Sequence, residues 1–210
     1  MLYDNLSVND AGHLTIAGID ACELAKTYGT PLYVLDEDRV RDRCRTYVEA
    51  MKKYLAEGSR PLFASKALSF KGIYPIIASE GMGADVVSAG EIATALAAGF
   101  PAGDLFFHGS NKTDAEIAYG VEQGVGCFVV DNVDELETLG REATARGICQ
   151  QILPDHLGVF YDLGKSPAQL GHDDSRIASG ASEGPGRDLP AEVLDGKRFV
   201  RISQFPGCAH

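Results

Sequence analysis

The chain has 210 residues, 45% of them hydrophobic, and 19 basic against 30 acidic side chains give it a formal charge of -11. That is enough apolar material for one or two packed domains, and the acidic balance argues against nucleic acid or an anionic membrane as the main partner. No window approaches eighteen apolar residues, and Met1-Leu2-Tyr3-Asp4-Asn5 lacks the basic-then-apolar order of a secretory leader, so a cytoplasmic protein with no membrane segment is expected.

Short apolar runs then alternate with longer amphipathic ones, the pattern of strands joined by crossover helices. Strands are predicted over 31–35 (PLYVL), 61–65 (PLFAS), 84–87 (ADVV), 104–107 (DLFF) and 126–130 (GCFVV), and helices over 36–57, 70–80, 89–98, 113–123 and 132–146. Asp36, Thr113 and Asp131 stand where helix N-caps belong, and Thr113 with Glu116 spells a capping box. Gly58, Gly81, Gly99, Gly124 and Gly147 stand where the same helices stop. Val34, Leu62, Phe63, Val86, Phe106 and Val129 are the expected core residues of the strands. Repeated βα units mean either a doubly wound sheet or part of a (β/α)8 barrel, and in both, ligands gather at the carboxyl ends of the strands.

Lys66 follows the apolar run Pro61-Leu62-Phe63-Ala64, so it stands where a buried strand ends. An ammonium there either reaches water along its stem or is desolvated, and a desolvated amine is a Schiff-base nucleophile. The plainer alternative is a surface lysine opening a loop. Asp85 closes a predicted strand in the same way, as a carboxylate near the site or one facing solvent. His108 and Asn111 follow the next strand, as lining of a pocket or as an ordinary polar loop. Gly81-Met82-Gly83 precedes a strand rather than following one, so it is not a dinucleotide loop.

Gly29-Thr30-Pro31-Leu32-Tyr33-Val34, Phe63-Ala64-Ser65-Lys66-Ala67, Ala84-Asp85-Val86-Val87-Ser88-Ala89-Gly90-Glu91, Phe107-His108-Gly109-Ser110-Asn111-Lys112 and Val129-Val130-Asp131-Asn132-Val133-Asp134-Glu135-Leu136 occur in that order. Together they resemble successive motifs of the diaminopimelate decarboxylases, in the alanine-racemase-like group of pyridoxal-phosphate enzymes. The resemblance spans roughly residues 13 to 150 and implies an α/β fold, a partial (β/α)8 barrel over 30–150. It implies that residues 1–29, with 13–19 (HLTIAGI) as a strand, belong to a second β-domain. It further implies pyridoxal 5'-phosphate held by Lys66 as a Schiff base, with Asp85, His108 and Asn111 around it. The resemblance also implies a small amino-acid substrate and, for the intact family, a homodimer. The reaction implied is decarboxylation of meso-2,6-diaminopimelate to lysine and CO2. An ornithine- or arginine-type decarboxylase of the same group, an inactive fragment, or a non-enzymatic pyridoxal-phosphate-holding relative are the alternatives.

The resemblance stops near residue 150. Residues 151–210, rich in proline and glycine, read as a loop-rich tail that does not match the family, so the chain is expected to be truncated and to have little activity by itself. Ser182-Glu183-Gly184-Pro185-Gly186-Arg187 is similar to a cofactor segment of the family but arrives too early. Asp155-His156 and His172-Asp173-Asp174 read as loop polarity, so no metal is expected, and Cys208 has no surrounding motif. Five cysteines without a C-x-x-C pair suggest reduced thiols filling the core.

Overall fold

The computed structural model describes residues 3–155 and the backbone of two further strands, 191–194 and 197–202. The chain divides into two compact units, Met1–Tyr47 and Val48–His210.

In the first unit, β1 (Leu6–Val8), β2 (Leu14–Ile16) and β3 (Ile19–Asp20) form an antiparallel meander. The single strand expected over 13–19 is therefore two strands and a tight turn. Ala17 and Gly18 take φ values of 49° and 81°, and a two-residue hairpin loop with both centres left-handed matches the twist of the strands it joins. Helix α1 (Ala21–Tyr28) follows, then α2 (Glu37–Tyr54), which begins within this unit; Arg39 N–H donates to the Asp36 carboxylate at 3.2 Å, as the cap reading requires. Residues 31–35, expected as a strand, form no ladder. Val34 is 43% exposed rather than core. Apolar composition alone does not make a strand where no neighbour supplies the hydrogen bonds.

Asp20 caps α1, its Oδ1 accepting from Cys22 N–H at 2.7 Å and Glu23 N–H at 3.4 Å. Its Oδ2 takes the His13 ring at 2.8 Å and the Asn9 amide at 2.7 Å. The His13 hydrogen bond, with those of Asn9 and the two backbone amides, holds the carboxyl at about 2, below its ordinary 3.8. A depressed acid stabilises the folded state above its unfolded value and loses that contribution as pH falls through the folded one. Cap and hairpin should therefore hold together down to pH 3.8 and loosen between 3.8 and about 2. Carboxyl carbon NMR titration checks this; an Asp20 midpoint at or above 3.8 contradicts it.

The second unit is built on a seven-stranded sheet. β4 (Leu62–Ala64), β5 (Gly83–Val86), β6 (Leu105–Phe107), β7 (Cys127–Val130) and β8 (Gln150–Pro154) are parallel and lie side by side in sequence order. β9 (Ala191–Leu194) and β10 (Lys197–Ile202) add an antiparallel pair beyond β8, with β10 next to it. A doubly wound sheet reverses its strand order at a switch point; the five parallel strands here never do, which is the winding of a barrel. β8, β9 and β10 correct the reading of 151–210 as loop. Gln150 and Gln151 hid β8, yet Gln150 is buried with its amide donating to the Val125 carbonyl at 2.9 Å, so its polarity is satisfied inside.

Helices α3 (Ile73–Ser79), α4 (Ala89–Ala97), α5 (Asp114–Glu122) and α6 (Val133–Arg146) connect the strands. Thr113 and Glu116 form the expected capping box. The cap of α6 is Asn132, one residue after the expected Asp131, because the Asn132 side chain reaches Glu135 N–H at 2.8 Å. α6 ends on Gly147 at φ 64°, a left-handed stop.

Side chains alternate across the strands, and the pairing fixes which ones share a face. Ala84, Leu105, Phe107, Phe128 and Ile152 lie on one face, buried with Tyr74, Phe100, Ile92 and Ile117. Phe107 and Phe128 stack at 5.5 Å, and Tyr74 meets Phe100 edge-on at 5.8 Å. Val86 and Val129 are buried as expected, whereas Leu62, Phe63 and Phe106 are half-buried. β4 pairs on one side only, which leaves Phe63 at the rim of the core. Cys44 and Cys127 are buried and Cys22 is exposed; Cys149 is disulfide-bonded, contrary to the expectation of reduced thiols. No helix of the described residues is long and apolar enough to cross a membrane.

Candidate active site

Four chemically able side chains stand at the carboxyl ends of the parallel strands. Lys66 lies in a 3₁₀ turn, Ser65–Ala67, directly after β4. Asp85 is the third residue of β5, His108 follows β6 and Asp155 follows β8. Asp85 pairs in register with Ala64 and Phe106, so His108, two residues beyond Phe106, falls on the same face of the sheet. That face is opposite the one carrying Phe107 and Phe128.

His108 Nδ1 is 3.8 Å from Asp85 Oδ1, and Nε2 is 3.3 Å from Asp155 Oδ2, so the imidazole bridges two carboxylates. Its backbone is anchored too: His108 N–H donates to the Val86 carbonyl at 2.8 Å and Asp155 N–H to that of Val130 at 2.9 Å. Asp85 Oδ1 is buried and accepts no hydrogen bond among the described residues. Burial raises the Asp85 carboxyl above its ordinary range, the positive charges of His108 and Lys66 oppose the shift, and the charge of Glu91 adds to it. A buried carboxyl oxygen without a hydrogen bond is a site wanting a cationic or N–H-bearing partner, and with the Lys66 amine and the His108 imidazole at neighbouring strand ends the residues fit a pyridine aldehyde cofactor.

Sequence reasoning thus placed Lys66, Asp85 and His108 at neighbouring strand ends. Lys66 is exposed rather than desolvated, because its turn follows the edge strand of the described sheet. Asn111 is exposed and outside the cluster. Its neighbour Lys112 is buried instead: the side chain is 1% exposed, and Nζ donates to the carbonyls of Gly109 at 2.7 Å and Val129 at 2.8 Å. Nζ also lies 2.7 Å from Oε1 of Glu135, 4% exposed, a close ion pair out of hydrogen-bonding line. Glu135 Oε2 in turn accepts from Asp131 N–H at 3.2 Å. Lysine and glutamate here tie the loop after β6 to the end of β7 and the start of α6, which polarity alone does not reveal. Asp155 was set down to loop polarity because β8 was not recognised. His156, the 172–174 cluster, the 182–187 segment and Cys208 lie outside the described residues.

The family described as pyridoxal-dependent decarboxylase, pyridoxal binding domain, matches residues 37–159. A diaminopimelate decarboxylase of Bacillus methanolicus is 42% identical over 151 residues, 72% of this chain and 35% of that protein. One of Staphylococcus aureus is 40% identical over 195 residues, 91% of this chain and 44% of the relative. Among solved structures, the diaminopimelate decarboxylase of M. jannaschii superposes with a TM-score of 0.64 at 31% identity, covering 71% of this chain and 35% of that one. Its complex with L-lysine gives 0.61 at 33% identity, over 69% and 34%. The chain therefore spans between about a third and under a half of the length of these relatives.

Proposed function

This chain belongs to the pyridoxal-dependent decarboxylase family through its pyridoxal-binding domain, and from that premise we propose that it serves the decarboxylation of meso-2,6-diaminopimelate to L-lysine and CO2. The observation that carries the reading is the pairing of Asp85 and His108 on one face at the carboxyl ends of β5 and β6, with Lys66 in the turn that follows the adjacent β4 and its charge acting on Asp85. Residues 30–150 then form the pyridoxal-binding part, continued by β8 through Pro154, and 1–29 belong to a β-domain. A second copy of the chain as partner and a cytoplasmic location complete the proposal.

When bound, pyridoxal phosphate supplies the electron sink that makes loss of CO2 from an amino-acid α-carbon feasible. The amine of Lys66 is the nucleophile that attaches the cofactor and, once released, a base able to move a proton. Asp85, whose buried Oδ1 accepts no hydrogen bond among the described residues, would help hold the cofactor and would favour a positively charged nitrogen on it. His108, between Asp85 and Asp155, orients the Asp85 carboxyl. The departing bond is the one to the α-carboxylate, and the α-carbon gains a proton in its place.

The test is incubation with pyridoxal phosphate, borohydride reduction and peptide mass spectrometry. Lys66 should carry the label, and Lys66→Ala should lose it. Labelling of another lysine in a folded sample, or none, overturns the reading. For the substrate, CO2 release from meso-diaminopimelate is compared with release from ornithine and arginine; preference for either of the latter overturns the assignment of diaminopimelate.

A further inference from the structure

Lys66 emerges from a short turn at the edge of the sheet, and little backbone pairing is available to hold it. β4 ends at Ala64 and, among the described residues, has a ladder partner on one side only. The turn closes on itself through Leu68 N–H to the Ser65 carbonyl at 3.0 Å. What fastens it to the rest of the site is a side chain. Ser65 is 0% exposed, and its hydroxyl lies 2.6 Å from Glu91 Oε2 and 2.9 Å from the carbonyl oxygen of Asp85.

A hydroxyl has one proton to give, and a carboxylate at 2.6 Å is the stronger acceptor, so the Asp85 carbonyl takes the weaker share. The same Glu91 oxygen accepts Val87 N–H at 2.8 Å. Glu91 itself is fixed: it stands in the first turn of α4, where the helix dipole favours a negative charge, and its N–H donates to the Ser88 cap at 3.3 Å. One carboxylate oxygen thus ties together the turn bearing Lys66, the strand end bearing Asp85, and the start of α4.

We propose that Glu91, acting through the Ser65 hydroxyl, is a positioning residue for Lys66, holding the amine in register with Asp85. Neither residue touches the reacting atoms; their effect is on how often the amine stands where it can attack. The inference rests on the attachment of pyridoxal phosphate at Lys66 and deepens it. Displacement of a reacting group by about an ångström lowers rates by up to about a hundredfold, and freeing a three-residue turn without unfolding the strand behind it should cost less.

The experiment measures the rate of borohydride-trapped labelling of Lys66 by pyridoxal phosphate in the full chain, with thermal unfolding recorded for each variant. Ser65→Ala removes the hydroxyl, Glu91→Ala removes the acceptor, and Glu91→Gln keeps an oxygen that can accept both hydrogen bonds. Ser65→Ala and Glu91→Ala should label Lys66 about tenfold more slowly, with labelling of the other lysines unchanged, and Glu91→Gln should restore most of the rate. Slowing of Lys66 alone, with rescue by glutamine, distinguishes positioning from general destabilisation, which would raise labelling everywhere. If Glu91→Ala does not fold, Ser65→Ala, a one-oxygen deletion, decides. Wild-type rates in folded Ser65→Ala or Glu91→Ala overturn the inference alone. Absence of Lys66 labelling in the unmodified chain overturns the proposed function and this inference with it.

Discussion

Lys112→Met should destabilise the second unit by about 3 to 5 kcal/mol, the cost of leaving one member of a buried ion pair without its partner. The ammonium is 1% exposed, donates to Gly109 O and Val129 O, and lies in a close ion pair with Glu135 Oε1. Methionine fills much of the same volume, including the place over the Phe107 ring where Nζ sits 5.6 Å from the centroid, but returns none of the donors. Glu135 is then a buried charge that keeps, among the described residues, the Asp131 N–H on its Oε2. The double variant Lys112→Met/Glu135→Leu should recover much of the loss, because an ion pair and an apolar pair of similar volume are close in stability. Urea unfolding of the two singles and the double reads the cycle. A loss below about 1 kcal/mol for Lys112→Met would mean that the pair is solvated, against the burial seen.

Gly126→Ala should be as severe for a different reason. A Cβ at this position would lie 2.0 Å from the carbonyl oxygen of Gly103 and 2.7 Å from its carbonyl carbon. The obstacle is backbone, in the 3₁₀ turn Ala102–Asp104 that leads into β6, so no side-chain rotation relieves it. Gly126 N–H also donates to the Ala102 carbonyl at 3.0 Å, and the turn must move away from that bond to admit a methyl group. Overpacking of this kind costs about 3 kcal/mol or more when the neighbour cannot yield. Gly103→Ala is the control: nothing lies within 4 Å of its Cβ, so the same methyl on the other partner should be tolerated. Equal unfolding midpoints for the two variants would show that the close approach is not real.

Much of the α/β alternation was legible because each helix carries its own start and stop chemistry. Thr113 and Glu116 cap α5 from within four residues, and Gly147 ends α6 by local backbone geometry, so neither depends on distant parts of the chain. The cap of α6 was misplaced by one residue because Asp131 and Asn132 both carry the right chemistry, and only the orientation of the chain leaving β7 selects Asn132. Two strand readings failed in opposite directions. Residues 31–35 are apolar but have no ladder, and 150–154 are partly polar but sit between β7 and β10.

The sequence by itself determined the order of elements and the positions of Lys66, Asp85 and His108 at strand ends, since local periodicity and stop signals are written in neighbouring residues. Strand order, which selects barrel winding over a doubly wound sheet, came only with tertiary pairing, because hydrogen bonds between strands join residues far apart in the chain. The same holds for the partners of each charge. Lys112 and Glu135 are 23 residues apart and meet only when β6 and β7 lie side by side. Ser65 and Glu91 meet across β4 and β5, and Asp155 reaches His108 only because β8 ends beside them. A charged residue in a one-dimensional sequence reads as solvated; its burial is decided by what the folded chain brings within 3 Å of it.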